Sequence, residues 1–117
     1  MAATFHFSKS GKGEEEAVLK EGYLTKMGGG EGGRKNWKKR YFVLADSLYY
    51  YEDENAYKNG SKPKGTINLD AYFVGKSEAN AAEFEFTVHA YPKNMTCRAT
   101  GEDEMQGWID ELLKPLA

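Results

Sequence analysis

The sequence predicts a mainly β domain: seven short antiparallel strands followed by one closing C-terminal α-helix. Three observations carry this expectation. β-Prone segments recur between turn-forming clusters, the hydrophobic period changes from two to 3.6 only near the end of the chain, and 117 residues suffice for a single core.

Residues 1–17 are expected to be peripheral. Ser8–Gly13 leads into Glu14-Glu15-Glu16 and offers little to bury. Phe5, His6 and Phe7 are read as part of a linker in preference to a short added strand. The chain therefore divides into a flexible N-terminal segment or linker (1–17), one domain (18–115) and a short tail (116–117).

Val18 to Met27 reads as the first strand, with Leu24 inward and Gly22 on the same side, where a missing side chain allows close packing. Five glycines in positions 28–33 permit the φ values that close a hairpin. They are not a nucleotide-binding loop, because neither Gly-Lys-Ser/Thr nor a helical pattern follows. Trp37–Leu44 is the second strand and Ser47–Glu52 the third, with Asp46-Ser47 at the turn between them. A polar loop over 53–64 ends in Lys62-Pro63-Lys64. Gly65–Leu69 is the fourth strand, with Ile67 and Leu69 inward, and Tyr72–Val74 a short fifth.

After a loop at Ser77–Ala82, Glu83–His89 shows the cleanest alternation in the chain. It sets Phe84, Phe86 and Val88 toward the core, and Glu85 and Thr87 toward water. Tyr91–Asn94 makes a turn into the seventh strand, Met95–Ala99. Met105, Trp108, Ile109 and Leu112 then form one apolar helical stripe, with Trp108 as the expected plug of the core. Thr100 is the expected N-cap, with Asp103 completing a capping box, and Pro115 is the stop signal. Gly107 is a modest defect in this helix unless close packing requires it.

The formal net charge of -2 argues against a general nucleic-acid binder. Its distribution says more. Residues 20–64 carry ten Lys/Arg against six Asp/Glu, and residues 65–117 carry four against nine. The basic surface is local, which suits one compact anion better than a long polyanion track. The single cysteine, Cys97, excludes an internal disulfide and reads as a buried small hydrophobe. His6 and His89 are too few for a zinc site, and no cofactor is expected. No nucleophile–base pair emerges, so no enzyme is expected; Asp70, Glu83 and Glu85 read as solvated faces. Without a long apolar run or a signal-peptide pattern, an intracellular protein is the default.

The chemistry concentrates in Arg34-Lys35-Asn36-Trp37-Lys38-Lys39-Arg40-Tyr41-Phe42. Strand alternation puts Lys38 and Arg40 on one side, about 7 Å apart, and Lys39 on the other. Beside a flexible basic loop, this pair makes a receptor for a compact polyanion. A solvated strand start is the plainer alternative.

The order and spacing of Lys20-Glu21-Gly22-Tyr23-Leu24, Trp37–Leu44, Leu48-Tyr49-Tyr50, Pro63-Lys64-Gly65-Thr66-Ile67 and Trp108-Ile109 resemble the pleckstrin homology (PH) domain over about residues 18–115. The resemblance implies a strongly bent seven-stranded antiparallel barrel or sandwich capped by the helix, with Trp108 at the family's nearly constant tryptophan. Many members bind phosphoinositides weakly or bind only proteins. The subset that grips 3-phosphorylated inositol lipids, including cytohesin-type and protein kinase B-type domains, has a basic residue late in strand one. A basic-x-Arg follows in strand two, and a tyrosine in strand three. Lys26, Lys38, Arg40 and Tyr50 fall at those positions, and Lys64 resembles a further basic residue near strand four. Arg34 and Lys35 match additional phosphate contacts in the first loop. The hairpin that cytohesin-type domains insert between strands six and seven is missing here.

The resemblance thus implies a monomeric membrane-recruitment module. Its partners are phosphoinositide headgroups and an anionic membrane surface, and nucleic acid is not among them. Phosphatidylinositol 3,4,5-trisphosphate is the expected ligand, with phosphatidylinositol 3,4-bisphosphate next, and the location is cytoplasmic with recruitment to the inner face of the plasma membrane. The alternative is a protein-interaction PH domain with weak, nonspecific lipid binding, its contact carried by the acidic helix end or the Tyr57 loop.

Overall fold

The computed structural model describes residues 4–7, 15–28 and 36–114. Two strands precede the main sheet: β1 (Thr4–Phe7) and β2 (Glu15–Val18) pair antiparallel, with Thr4 opposite Val18. Residues 5–7 therefore lie in the added strand, the less favoured of their two readings. Paired this way, two short extended segments satisfy one another's backbone groups.

The main sheet comprises β3 (Lys20–Gly28), β4 (Asn36–Leu44), β5 (Leu48–Tyr51), β6 (Gly65–Ile67), β7 (Tyr72–Lys76), β8 (Glu85–Ala90) and β9 (Met95–Arg98). Their spatial order is β6-β5-β4-β3-β9-β8-β7, with antiparallel pairing throughout. The result is a curled seven-stranded half-barrel made of two chain-local meanders, β3–β6 and β7–β9, and capped by the C-terminal helix α2 (Glu102–Leu113). Those meanders meet at a short seam, where β3 and β9 are in register only at Thr25–Arg98 and Lys26–Cys97.

The concave face holds the main core. Phe42, Leu44, Leu48, Ile67, Phe86, Val88 and Cys97 pack there against Met105, Trp108, Ile109 and Leu112 of α2. Trp108 is fully buried, stands edge-on to Phe42 and donates its indole N–H to Glu104 Oε2 at 3.0 Å. Gly22 faces the same indole: a Cβ there would lie 3.6 Å from Glu104 Oε2 and 3.8 Å from Trp108 Cζ2, both ordinary contacts. Gly107 lies under the Lys20 ammonium, which a Cβ would approach to 3.3 Å.

The first strand begins at Lys20, Val18 belonging to β2, the fourth ends at Ile67, and the fifth runs on to Lys76. Four further details differ from the sequence expectation. The helix is capped at Gly101 and not at Thr100, and no side chain closes the cap; Asp103 consequently stands second in the helix, among the acidic first-turn residues Glu102, Asp103 and Glu104. Phe84 is not in a strand. It ends a 3-10 turn (Ala81–Glu83) at φ 54°, so β8 begins at Glu85, although Phe84 still packs against the core. Glu85 is buried, 8% exposed, and not solvated, because Arg98 Nε donates to it at 2.9 Å across β8–β9 and neutralises it. The 53–64 loop contains a short helix, α1 (Glu54–Lys58), whose cap is the Asp53 carboxylate accepting from Ala56 N at 2.8 Å. At the C-terminal end of α2, Lys114 is extended (φ -74°, ψ 145°), the conformation favoured before a proline.

Candidate functional site

The β3–β4 register places Lys26 directly opposite Lys38, and Leu24 opposite Arg40. Alternation then separates the charges. Lys38 and Arg40 share a face with Lys26, whereas Lys39 turns to the convex face, its ammonium 4.6 Å from the Tyr23 ring centroid.

Lys26 is the centre of the arrangement. It is only 7% exposed, at the seam, with its ammonium 4.8 Å from the ring centroid of Tyr50. Burial holds its pKa below the ordinary 10.5. Arg40 adds to that effect, and Lys93 and Lys38 contribute in the same direction. Tyr50 is itself buried in the core, its ring packed over Gly65, where a Cβ would come 2.2 Å from the phenol oxygen. The glycine is thus required by the tyrosine above it, and the tyrosine in turn supports the lysine. Burial also raises the Tyr50 pKa.

Lys93 belongs to this group although the sequence reading placed it in a plain turn. The β8–β9 turn returns beside the end of β3 because Cys97 pairs with Lys26, and Lys93 lies four residues before Cys97. Nothing in the local sequence marks that proximity; only the position of a Lys within a turn ending at the seam could have pointed to it.

The other proposed contacts are placed differently. Lys64 is exposed and ion-paired with Glu52 at 3.2 Å. Arg34 and Lys35 lie outside the described residues. Arg40 donates from Nη1 to the Lys39 carbonyl at 3.0 Å, leaving most of its guanidinium donors uncommitted.

Most of the described cations outside the cluster are paired with carboxylates; Lys39 and Lys62 are not, but they stand apart from it. Lys20, Lys58, Lys64, Lys76, Arg98 and Lys114 each lie within 4.0 Å of a carboxylate. Among the described residues, none of Lys26, Lys38, Arg40 and Lys93 has such a carboxylate. Like charges converge there without compensation, an arrangement that an anion would relieve. No group of three His, Cys, Asp or Glu side chains is disposed to hold a metal among the described residues, and no helix among them is long and apolar enough to cross a membrane.

A curled half-barrel with a helical cap and a basic mouth at one hairpin defines a small, non-catalytic class of binding modules. Residues 18–116 match the PH domain, and the chain belongs to that family, which is not associated with catalysis. Its fold is consistent with phosphoinositide and membrane binding in general.

Among curated proteins, the chain is 28% identical over 136 residues to GTP exchange factor for ARFs 1 of Caenorhabditis elegans, covering 94% of this chain and 34% of that protein. It is 44% identical over 60 residues to human cytohesin-3, covering 50% of this chain and 14% of that protein. The chain thus spans about a third or less of the curated relatives it matches. Among solved structures, it is similar to the C-terminal PH domain of pleckstrin in complex with D-myo-Ins(1,2,3,5,6)P5. The TM-score is 0.68 at 28% identity, over 82% of this chain and 92% of that one.

Proposed function

We propose that residues 18–115 form a phosphoinositide-binding module that recruits its parent protein from the cytoplasm to the inner face of the plasma membrane. Phosphatidylinositol 3,4,5-trisphosphate is the preferred ligand and phosphatidylinositol 3,4-bisphosphate the nearest competitor. The observation that carries this reading is the uncompensated convergence of Lys26, Lys38 and Arg40, with Lys93 beside them. Arg40 supplies a planar fork for phosphate oxygens, and the lysines act as adaptable point charges. Each phosphate monoester brings about 1.5 to 2 negative charges at neutral pH, which offsets the mutual repulsion of the cations.

Tyr50 contributes by holding Lys26, and Arg34, Lys35 and Lys64 supply further contacts. Lys64 must leave Glu52 to do so. An exposed ion pair is worth only about 0–1 kcal/mol, less than the roughly 1.5–3 kcal/mol of a charged hydrogen bond, so the exchange favours phosphate. The inositol pentakisphosphate complex of the pleckstrin domain and the local identity to cytohesin-3 support a headgroup ligand for this fold. The Tyr57 loop is a poor protein-docking alternative, because Tyr57 is packed on Tyr41 and Tyr51.

Calorimetry with soluble headgroups tests the selectivity. Inositol 1,3,4,5-tetrakisphosphate is expected to bind more tightly than inositol 1,4,5-trisphosphate. Equal affinities would remove the 3-phosphate preference, and no binding of either would remove the headgroup reading.

A further inference from the structure

Lys26 is a buried amine as well as a cation. The residue is 7% exposed at the β3–β9 seam, with Lys38 opposite it on β4 and Cys97 opposite it on β9. Arg40, Lys93 and Lys38 all press on its charge, and no carboxylate of the described residues is paired with it. The Cys97 thiol brings no compensating charge, because burial pushes its pKa well up and keeps it protonated. The Tyr50 ring meets the ammonium at 4.8 Å. Burial and the neighbouring cations together hold the Lys26 pKa below its ordinary value, which favours the uncharged amine. An ammonium has no lone pair to give, whereas the uncharged amine is a nucleophile.

The surroundings select the electrophile. The small exposure of Lys26 suits a small neutral molecule better than a bulky acyl donor. Three cations beside it favour a product that carries negative charge. Dissolved carbon dioxide meets both conditions. We infer that Lys26 is a site of reversible carbamate formation, supplying the carboxylate that Lys38, Arg40 and Lys93 lack among the described residues. The Nζ lone pair forms a bond to the carbon of CO2, one C=O bond opens to leave a carboxylate oxygen, and the nitrogen releases a proton to water. Nothing is oxidised or reduced. The side chain passes from one positive to one negative charge, so its neighbours gain a charge-assisted partner in place of a repelling cation. The consequence for binding rests on the headgroup reading: the carbamate removes a cation and fills the site with an anion, which makes CO2 a competitor of phosphate.

The full chain is compared with Lys26→Arg, which keeps the positive charge but forms no carbamate, in isotope-labelled bicarbonate and in chloride at one neutral pH and ionic strength. Triethyloxonium ion fixes the carbamate as its ethyl ester for peptide mass spectrometry, and calorimetry with inositol 1,3,4,5-tetrakisphosphate reads the pocket. The label is expected on Lys26 and not on the exposed Lys38 and Lys93, and saturating headgroup should suppress it. Bicarbonate should weaken headgroup binding about threefold in the full chain, the loss when roughly a third of the sites stay competent, and leave Lys26→Arg unchanged. No label on Lys26, or equal label on Lys38 and Lys93, overturns the inference on the native chain alone. Equal weakening of both chains overturns the competition, since bicarbonate would then act as a plain anion. Label on Lys26 with no headgroup binding in chloride overturns the headgroup reading and leaves the carbamate site standing.

Discussion

The two faces of the β3–β4 hairpin are made of similar residues arranged to opposite ends. On the convex face, Tyr41 donates to Glu21 at 2.7 Å and meets Tyr23 edge-on, while the Tyr23 hydroxyl accepts from Glu54 N at 3.0 Å. Lys39 lies over Tyr23, and Val18, Tyr41 and Val43 form a second small core with Tyr51 and Tyr57. The Tyr41 and Tyr23 hydroxyls there find partners within the protein. On the concave face, Lys26, Lys38 and Arg40 are brought together without a carboxylate among the described residues. Lys39 and Lys26 each lie over a tyrosine ring without a carboxylate, so what separates the faces is that Lys39 stands alone whereas Lys26 is crowded by Lys38 and Arg40.

The largest expected effect is on the uncompensated face. Arg40→Ala removes a charge-assisted fork and should weaken headgroup binding by about 2–4 kcal/mol, with folding little changed. Calorimetry alongside thermal unfolding checks both halves of that statement.

Gly65→Ala strikes the same face from below. The added methyl collides with the Tyr50 ring and displaces the support of Lys26, so stability should fall by about 1–3 kcal/mol. Headgroup affinity should fall with it, measured on the folded fraction. Unchanged affinity would mean that Lys26 does not need the ring beneath it.

Tyr41→Phe is the counterpart on the convex face. Loss of the bond to Glu21 should lower stability by about 1 kcal/mol in denaturant unfolding and leave headgroup affinity alone. Burial, together with that hydrogen bond, holds the Tyr41 phenol well above its ordinary pKa. Its contribution is therefore complete below pH 10.0 and is lost as pH rises through the folded value.

Lys39→Ala changes net charge as Arg40→Ala does, yet it should cost well under about 1 kcal/mol of binding, most of it vanishing at high salt. Equal losses in the two variants would erase the distinction between the faces. The smallest effect is one of pH. As pH rises through its lowered value toward 10.5, affinity should decline, because phosphate binds the charged form. The empty domain gains stability from Lys26 over the same window, the reverse sign, since folding disfavours that charge.

The alternation that splits Lys38 and Arg40 from Lys39 was legible because a strand has a fixed period. So was the apolar stripe that seats Trp108. What escaped depended on distant pairing. Glu85 looked solvated by its place in an alternating run, and only Arg98 on the neighbouring strand explains its burial. Lys93 became visible through the β3–β9 seam, and the role of Gly65 through the ring above it. The helix at Glu54–Lys58 carried readable signals, an Asp53 cap and a Glu54–Lys58 pair at 2.9 Å, but five residues without an apolar stripe gave them no periodic context.

The seam also sets a timetable for folding. Each meander is built from contacts between chain neighbours, whereas Lys26 meets Cys97 only after most of the domain's length has been closed into a loop. Loop-closure entropy makes such non-local pairing the slower event. The basic mouth is assembled from both sides of that closure, with Lys38 and Arg40 on one and Lys93 on the other. Competence to hold a headgroup should therefore appear in the last kinetic phase of refolding, after the β3–β4–β5 aromatic contacts have formed. A fluorescent inositol phosphate added to a refolding mixture would report that final step separately from the tyrosine signal.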